Sequence, residues 1–399
     1  MKDLAIILGI RPDVIRASKI LNLLAESSEI TYDFIWSGQH YSDNMKDVFF
    51  SQLNVPKPDF EFEIDTTNDS TIVSSIIKNT YEHLDKNKYK AVIFLGDTNT
   101  VMGCIGVIQH NIPVVHIEGC MRSYDWRMPE EKYRTTIDHL SDRIYAYLDS
   151  YKQQGLNEGI SENVINVTGN PIVDIINDNQ KLFDTGGEHL DDKILNFIKN
   201  DNFTLATSHR RENILDQKSL TNIVNLLNQS ESKIVFPMGY KTQEMLKEFN
   251  LDLKSNVLVT DPIGYLEFMY LMKNSDYVIS DSGTVVEEAC IIGKPSIQMR
   301  HSTERPEVYD VGSSIKFDPS EEIKDFEIYI SKVNKLTSNK WNQPFGDGKS
   351  AEKIVNDLIE LSSTDSFFKH NQNDYSDFYN PSKILKSRSA PPSSALRAS

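Results

Sequence analysis

The sequence has 399 residues, of which 39% are hydrophobic and 25% charged, a composition typical of globular proteins and a length that suits two domains. A formal net charge of −16 argues against a nucleic-acid-binding surface, so any bound phosphate must meet locally placed cations. Three scattered cysteines are too few for a disulfide framework, and no apolar segment reaches the roughly 18–20 residues of a membrane-spanning helix, so we expect a cytoplasmic protein without a membrane anchor.

The first half of the chain alternates short β-branched segments with longer amphipathic ones. The opening segment MKDLAIILGIRPD lacks the basic residues and cleavage site of a signal peptide, and its apolar part is short enough for a buried strand. We predict strands at 4–9, 32–38, 90–97, 112–119 and 143–148, and helices at 11–27, 45–53 and 70–84. This alternation favours right-handed β-α-β units and a parallel sheet.

The same alternation continues in the second half. Further strands are predicted at 203–210, 233–238, 256–261, 277–283 and 295–299, and a helix at 350–363 is predicted to close the fold. The chain is therefore predicted to have an α/β fold with two Rossmann-like, doubly wound parallel-sheet domains and a central cleft. The Gly-Asn-Pro interruption places the joint near 167–176, which gives domains at 1–170 and 171–368. Residues 369–399 lack apolar periodicity and are predicted to be a disordered tail or a cloning artefact.

Several polar residues of the first half follow predicted strands. Because ligands of open α/β sheets bind at the carboxyl ends of the strands, these residues are candidates for a site. Arg11 and Arg16 open the first helix, where an anion could bind, although both could equally be solvated. Asp97 follows the third predicted strand and could cap a helix instead, whereas Glu118 directly follows a buried strand and is less easily dismissed.

A polar loop at 122–134 precedes and enters the next predicted helix. Its sequence, RSYDWRMPEEKYR, contains Glu130, Glu131 and Arg134. Carboxylates in the first turn of a helix are often there because they stabilise the helix dipole. For Glu131 this structural explanation and a functional role are about equally well supported. For Glu130 the structural explanation is weaker, so Glu130 is the better functional candidate.

The second half contributes a second group of candidates. His209 stands beside two arginines at a strand end, where it could stabilise a phosphate or an oxyanion, although a single such histidine is more often structural. Ser282, Gly283 and Thr284 end a strand and begin a helix, a favourable arrangement for phosphate. Glu288 lies about one and a half turns further along, within reach of a ribose.

The remaining candidates carry weaker signals. Arg300 follows a strand within MRHSTERPE, which also contains Glu304 and Arg305, and Phe268 is either helical core or a flank for a nucleobase. His, Cys and carboxylate residues show no metal-ligand spacing, so no metal is expected. Neither predicted domain begins with the dinucleotide fingerprint, and we therefore expect no NAD, FAD or other cofactor.

These segments together resemble the non-hydrolysing UDP-N-acetylglucosamine 2-epimerase family. The resemblance covers about residues 1–360 and rests on motifs in the family's order and spacing: GIRPDVIR, SGQHY, GDTNT, HIEG, RMPEEKYR, DHLSD, VTGNPIVD, SHRREN, SDSGTVVEEA, GKP and TERPE. It implies a glycosyltransferase-B-type fold, a homodimer and a UDP-sugar substrate. The implied reaction interconverts UDP-N-acetylglucosamine and UDP-N-acetylmannosamine for cell-surface polysaccharides such as capsule. UDP is eliminated to leave a 2-acetamidoglucal and is then added back.

The resemblance also implies roles for individual residues. Removal of the barely acidic C2 proton and reprotonation on the opposite face require at least two acid–base groups. The implied catalytic residues are Asp97, Glu118, Glu130 and His209. The implied substrate-binding residues are Arg11, Arg16, Gln39, Arg134, Phe268, Ser282, Gly283, Thr284, Glu288 and Arg300.

The sequence departs from the family pattern at several points. Arg16 stands where a lysine is usual, Thr284 replaces the second glycine of a Ser-Gly-Gly motif, and Gly239 replaces a frequent histidine. The loop before Pro129 is shorter than usual, which leaves open a 6-deoxy UDP-sugar of the UDP-N-acetylfucosamine pathway as the substrate. A glycosyltransferase on the same scaffold is a further alternative, but it would leave the three candidate carboxylates without paired roles.

Overall fold

The computed structural model describes residues 1–38, 53–199 and 201–368. Gln39, nearly all of the predicted helix at 45–53 and the predicted disordered tail at 369–399 lie outside the described residues. Within the described ranges, no helix combines the length and the apolar character needed to cross a membrane.

The first sheet has seven parallel strands among the described residues, in the order β3-β2-β1-β4-β5-β6-β7. Its strands are β1 (Lys2–Leu8), β2 (Tyr32–Trp36), β3 (Phe60–Glu61), β4 (Tyr89–Leu95), β5 (Val114–Ile117), β6 (Arg143–Ala146) and β7 (Ile165–Val167). The central strands β1, β4 and β5 are nearly continuous apolar segments because helices cover both faces of a parallel sheet. The order reverses beside β1, so the carboxyl ends of β1 and β4 flank a ligand-binding crevice.

The second sheet has six parallel strands among the described residues, in the order β10-β9-β8-β11-β12-β13. Its strands are β8 (Phe203–Thr207), β9 (Lys233–Pro237), β10 (Val257–Thr260), β11 (Val278–Ser280), β12 (Ser296–Met299) and β13 (Ser314–Phe317). Here too the order reverses, between β8 and β11. The prediction of two doubly wound parallel sheets is confirmed.

Helices cover both sheets. In the first half they are α1 (Arg11–Glu26), α2 (Asp69–Lys86), α3 (Cys104–Ile108), α4 (Pro129–Leu140), α5 (Asp149–Asn157), α6 (Pro171–Asp178), α7 (Gln180–Thr185) and α8 (Asp192–Ile198). In the second half they are α9 (Arg211–Ile214), α10 (Gln217–Gln229), α11 (Tyr240–Glu248), α12 (Tyr265–Asn274), α13 (Gly283–Ile291), α14 (Glu307–Asp310), α15 (Glu327–Leu336) and α16 (Ser350–Thr364).

The connection from β1 to α1 shows how the local sequence positions a candidate residue. Pro12 stands in the first turn of α1, where its missing N–H costs no helical hydrogen bond. The apolar face of the helix is buried against the sheet. Arg16 is also buried, with only 5% of the residue exposed, and its guanidinium pairs with Asp13 and with Glu118, which follows β5.

The structure differs from the predicted elements mainly at strand ends and at short strands. Gly96 and Asp97 follow β4 rather than continuing it, and β5 likewise ends before Glu118. The segments of β3, β7 and β13 are not among the predicted strands. The first two have only two and three residues, and β13 carries the exposed Lys316 in its middle, so the hydrophobic pattern of each is too weak to identify.

Helix α16 returns from the second half of the chain to the first sheet. Asp357 accepts hydrogen bonds from Arg143 at 2.6 and 2.8 Å and from the hydroxyl of Tyr145 at 2.7 Å. Near its other end, Ser362 Oγ donates to Asp3 at 2.8 Å. The predicted helix at 350–363 is present, and it packs on α1 as well as on α6, where Asp174 accepts from the backbone N–H groups of Ser350 and Ala351. The boundary between residues 170 and 171 itself stays a prediction.

Candidate active site

A cavity of about 760 Å³ lies between the carboxyl ends of the two sheets. It is lined by residues of both halves of the chain, which agrees with the predicted central cleft. The predicted site residues among its lining are Arg16, Asp97, Glu118, Glu130, His209, Ser282, Thr284 and Arg300. The structure therefore brings together eight residues that are widely separated in sequence.

Asp97 is held by an arginine rather than by a helix end. Its carboxylate accepts a hydrogen bond from Arg134 Nε at 2.9 Å and a second from the same guanidinium, and the short helical turn that follows has Thr98 at its N-cap. Burial alone would raise the pKa of Asp97, but the positive charges of Arg134 and Arg16 lower it below its ordinary value. Asp97 is therefore a carboxylate that faces the cavity in its ionised form.

Glu118 bridges the two halves of the chain. One carboxylate oxygen pairs with Arg16 of α1, and the other accepts from Arg305 Nη2 at 3.0 Å. The backbone of Glu118 has a φ of +76°, a conformation that costs a non-glycine residue of the order of 1–3 kcal/mol and is common at functional sites. The strained turn points the carboxylate at the cavity between two arginines.

Glu130 and Glu131 are adjacent in the first turn of α4 but have different surroundings. The Glu131 carboxylate accepts from the backbone N–H groups of Ser123 and Tyr124 and pairs with Arg134, so it fixes the polar loop. Glu130 lines the cavity, and burial raises the pKa of its carboxyl. The structure thus separates a loop-holding carboxylate from one that can carry a proton.

The polar loop also reaches the second half of the chain. Ser302 Oγ donates to Asp125 at 3.0 Å, and Asp125 in turn accepts from Arg127 Nε at 2.8 Å. Arg300 Nη2 lies 3.4 Å from Met128 Sδ. These contacts close one side of the cavity with loop residues from both halves of the chain.

His209 and Arg210 are presented to the cavity by a buried aspartate. Asp281, at the end of β11, accepts from both backbone N–H groups at 3.0–3.1 Å and from Ser208 Oγ at 2.8 Å. The His209 side chain is 57% exposed, as expected for a group that meets a ligand. The Nε atom of Arg210 is buried and has no hydrogen-bond partner among the described residues.

The start of α13 supplies a second kind of anion site. Ser282 is its N-cap, and its hydroxyl accepts from the N–H of Val285 at 3.5 Å. A Cβ atom at Gly283 would lie 2.5 Å from Arg305 Nη1, so any larger residue would have to displace this guanidinium. Free N–H groups at a helix start and a neighbouring guanidinium together favour a phosphate.

Glu304 and Arg305 are functional candidates for which the sequence predicted no role. Glu304 is 1% exposed and accepts from Arg300 Nη1 at 2.9 Å, while Arg305 forms an ion pair with Glu287 at 2.7 Å. The sequence placed Arg300, Glu304 and Arg305 in one motif after a strand, and that signal could have identified all three. Glu304 lies among arginines of both halves, since Arg134 and Arg210 are each 3.8 Å away.

Phe268, Glu288 and Arg11 are not among the residues that line the cavity. Phe268 packs against the hydrophobic core. Glu288 is buried in α13, where it accepts a hydrogen bond from the hydroxyl of Tyr265 at 2.9 Å. The pKa of the Arg11 guanidinium falls to about 10 because of burial. The predicted contacts of these residues with a nucleotide stay predictions.

The buried Glu288 carboxyl leads to a prediction about stability and pH. Burial raises its pKa to about 8, so the folded protein keeps a proton that the unfolded chain loses near pH 4.5. This residue's contribution to stability is therefore full below that pH, falls as the pH rises towards 8, and is lost above it. Glu288→Gln mimics the protonated form, and we expect it to raise the free energy of unfolding at pH 9 by about 1–4 kcal/mol while changing it little at pH 4.5.

Urea unfolding of both proteins at pH 4.5, 6 and 9, without nucleotide, measures this difference. Glu288→Asp is the control, because it keeps an ionisable carboxyl. A Glu288→Gln protein whose stability relative to the wild type is the same at all three pH values would contradict the prediction.

Metal binding is not supported by the described side chains. Within residues 1–38, 53–199 and 201–368, histidine, cysteine and carboxylate groups form no cluster of three or more that could hold a metal ion. What the cavity offers is carboxylates for proton transfer and arginines with a helix start for an anion.

A family model and two curated relatives that match this sequence carry the same name. The sequence profile of the family described as UDP-N-acetylglucosamine 2-epimerase matches residues 22–359. The UDP-N-acetylglucosamine 2-epimerase of Methanocaldococcus jannaschii is 39% identical over 363 residues, covering 88% of this chain and 97% of the relative. That of Methanococcus maripaludis is 38% identical over 371 residues, covering 89% and 98%.

A solved structure agrees with the sequence relatives. The crystal structure of the Methanocaldococcus jannaschii UDP-GlcNAc 2-epimerase in complex with UDP-GlcNAc and UDP has a TM-score of 0.81 and 36% identity, covering 90% of this chain and 99% of that chain. The glycosyltransferase-B-type arrangement expected from the sequence is confirmed by this likeness.

Proposed function

We propose, since the chain belongs to the UDP-N-acetylglucosamine 2-epimerase family, that it is an isomerase that interconverts UDP-N-acetylglucosamine and UDP-N-acetylmannosamine without hydrolysing either. The reaction inverts C2 of the sugar through elimination and re-addition of UDP. The named relatives and the UDP-GlcNAc complex of the solved structure support this substrate over a 6-deoxy UDP-sugar.

The observation that carries the proposal is a pair of carboxyls in one cavity with opposite protonation preferences. Arg134 and Arg16 lower the pKa of Asp97, whereas burial raises the pKa of Glu130. Two carboxyls whose environments move their pKa values apart can act as a base and an acid at the same pH. Inversion of a carbon through deprotonation and reprotonation needs such a pair.

In the proposed forward reaction, Asp97 accepts the C2 proton while the bond between C1 and the diphosphate oxygen breaks. The electron pair of the C2–H bond forms the C1–C2 double bond of a 2-acetamidoglucal, and UDP leaves with the electrons of the broken bond. Glu130 then donates its proton to the opposite face of C2 as the diphosphate oxygen adds back to C1. The reverse reaction uses the two groups in exchanged roles. Glu118 remains a candidate for either step because it also faces the cavity.

The leaving diphosphate needs stabilisation in the transition state. The start of α13 at Ser282 and the guanidinium groups of Arg16, Arg210 and Arg305 are available for it. The buried Arg210 Nε atom without a hydrogen-bond partner among the described residues supports a direct role, since an unpaired buried donor is costly unless a ligand uses it. His209 is exposed beside it and can share in binding the same group.

Three finer statements belong to the same proposal. The enzyme acts in the cytoplasm, where nucleotide sugars of this kind would be used. It works as a homodimer, and its product serves cell-surface polysaccharide synthesis. The resemblance to the family motifs supports the homodimer and the role in polysaccharide synthesis, and the three scattered cysteines support a location in the cytoplasm.

The activity is tested by the equilibrium mixture of nucleotide sugars that the purified protein produces. Incubation with pure UDP-N-acetylglucosamine and, separately, with pure UDP-N-acetylmannosamine is expected to give the same mixture of the two by NMR. The Glu130→Gln variant is the inactive control. Release of free N-acetylmannosamine with an equal amount of UDP would show a hydrolysing enzyme instead, and no conversion of either nucleotide sugar would contradict the proposal.

A further inference from the structure

A buried chain of ionisable side chains contacts the backbone next to Asp97 and Glu118 and has no part in the proposed proton transfers. His116 Nδ1 is 2.7 Å from Asp138 Oδ1, and Arg122 Nη1 donates to Asp138 Oδ2 at 2.7 Å. Arg122 then binds Glu158 through two hydrogen bonds of 2.9 and 2.7 Å. His116 and Asp138 are at most 1% exposed, so solvent does not reach this pair.

The histidine is tied to the turn that presents Asp97. His116 Nε2 lies 2.8 Å from the carbonyl oxygen of Gly96, the residue immediately before Asp97. Gly96 has a φ of +82°, and a Cβ atom there would lie 3.0 Å from Arg16 Nη2 and 3.5 Å from Glu118 Oε2. The turn at Gly96 therefore lies in close contact with Arg16 and Glu118 on one side, and the imidazole of His116 contacts its carbonyl oxygen.

The aspartate is tied to the turn that presents Glu118. Asp138 Oδ2 accepts from the backbone N–H of Cys120 at 2.9 Å, and Cys120, like Glu118, has a positive φ, of +64°. A Cβ atom at Gly119 would lie 2.7 Å from Asp138 Oδ1 and 2.4 Å from Ile144 Cγ2. The backbone wraps closely over the His116–Asp138 pair, and the pair holds two strained residues in place.

Asp138 also fixes the helix that carries the third carboxyl. Glu130, Arg134 and Asp138 stand at positions i, i+4 and i+8 of α4, so they share one face of the helix. Arg134 reaches Asp97, and Asp138 reaches His116. The bond between His116 and Asp138 therefore sets the register of α4 against the end of β5.

We propose that His116 and Asp138 are positioning residues that hold Asp97, Glu118 and Glu130 in their relative places, with Arg122 and Glu158 fixing the outer side of Asp138. This inference rests on the proposed function. Neither residue exchanges a proton with substrate. An apolar pair could fill the same volume without the cost of burying charges, but it could not hold the Gly96 carbonyl and the Cys120 N–H at once.

The test compares His116→Gln with the wild type. Glutamine has a single side-chain nitrogen, so it cannot place a nitrogen against Asp138 and a second one against the Gly96 carbonyl oxygen as the imidazole does. We expect kcat to fall about 10²-fold, the size of effect produced by a displacement of about 1 Å, while KM and the dissociation constant for UDP change less than about threefold. That split between kcat and binding would not follow from a general loss of structure.

The matched control is Tyr89→Phe. Tyr89 begins β4, the strand whose other end leads to Gly96, and its buried hydroxyl donates to Asp33 at 2.6 Å. Loss of this bond also costs stability, of the same order as other buried hydrogen bonds, but far from the cavity. We expect its kcat to stay within about threefold of the wild type. If His116→Gln also stays within threefold, or loses UDP affinity as strongly as kcat, the inference is wrong.

If the His116→Gln protein does not fold, a second variant tests the same inference. Glu158→Gln alters the outer end of the chain, where the side chain is 24% exposed, and is expected to lower kcat about threefold to tenfold at unchanged UDP affinity. An unchanged kcat would overturn the inference. Wild-type protein that fails to exchange C2 hydrogen with solvent would instead remove the proposed function and this inference with it, so the two failures are distinguishable.

Discussion

Replacement of Asp97 by Asn, Glu118 by Gln or Glu130 by Gln is expected to lower kcat by about 10²–10⁴-fold in each case, the range typical of general acid–base groups. All three side chains line the cavity. The amide of each variant keeps the size of the side chain but cannot exchange a proton. The folded state should persist, because no replacement opens a cavity. Asp97→Asn and Glu118→Gln should nevertheless lower the free energy of unfolding, because each leaves a buried arginine without a carboxylate partner.

Steady-state kinetics with UDP-N-acetylglucosamine, together with thermal unfolding, measures both expectations. Glu212→Gln is the control, since Glu212 is an exposed carboxylate that lines the same cavity and has no proposed role. We expect its kcat to remain within a few-fold of the wild type. Near-normal turnover in all three cavity variants would remove the proposed mechanism.

Arg305→Met is expected to lower the free energy of unfolding by about 3–5 kcal/mol, the cost of breaking a buried ion pair by removing one partner. Arg305 is 4% exposed and is paired with Glu118, Glu287 and Glu304. Methionine can fill much of the volume, so the loss comes from leaving buried carboxylates without their cation. The same variant should bind UDP more weakly, because Arg305 lies beside Gly283 at the start of α13.

Urea unfolding without nucleotide measures the change in stability. Arg143→Met is the matched control, because the Arg143–Asp357 pair is 17–18% exposed and its loss should cost less than that of a fully buried pair. In the Arg305→Met background, Glu287→Gln should recover part of the loss, since burial already raises the pKa of Glu287 and its charge is the least well compensated. Equal losses in the Arg305→Met and Arg143→Met proteins would contradict this explanation.

Much of the fold could be predicted because its signals are local. The central strands are apolar segments of four to seven residues, and the helices between them show a regular apolar face. Short strands such as Ile165–Val167 escape detection because three residues contain too little pattern. The return of the helix Ser350–Thr364 to the first sheet depends on contacts such as Asp357 with Arg143, and no local signal encodes such contacts.

The site could be predicted as a set of residues more readily than as a set of roles. Strand-end position identified Asp97 and Glu118, since parallel strands bring their carboxyl ends together. Strand-end position could not show that Arg134 lowers the pKa of Asp97. It also could not show that Glu131 binds the backbone of the polar loop while its neighbour Glu130 faces the cavity. Those distinctions depend on partners distant in sequence, as does the role of His116, whose two hydrogen-bond partners lie 20 and 22 residues away.

The most direct test of the account is the fate of the C2 hydrogen in deuterium oxide. Wild-type protein incubated with UDP-N-acetylglucosamine should incorporate deuterium at C2 of both the remaining substrate and the UDP-N-acetylmannosamine formed, seen by NMR as the loss of the H2 signal. Deuterium enters the product because Glu130, which protonates the opposite face of C2, carries a deuteron from the solvent. It enters the remaining substrate because Asp97 exchanges the proton that it removed before the reaction runs back. Formation of UDP-N-acetylmannosamine that keeps the original hydrogen at C2, or no exchange and no product at all, would contradict the account.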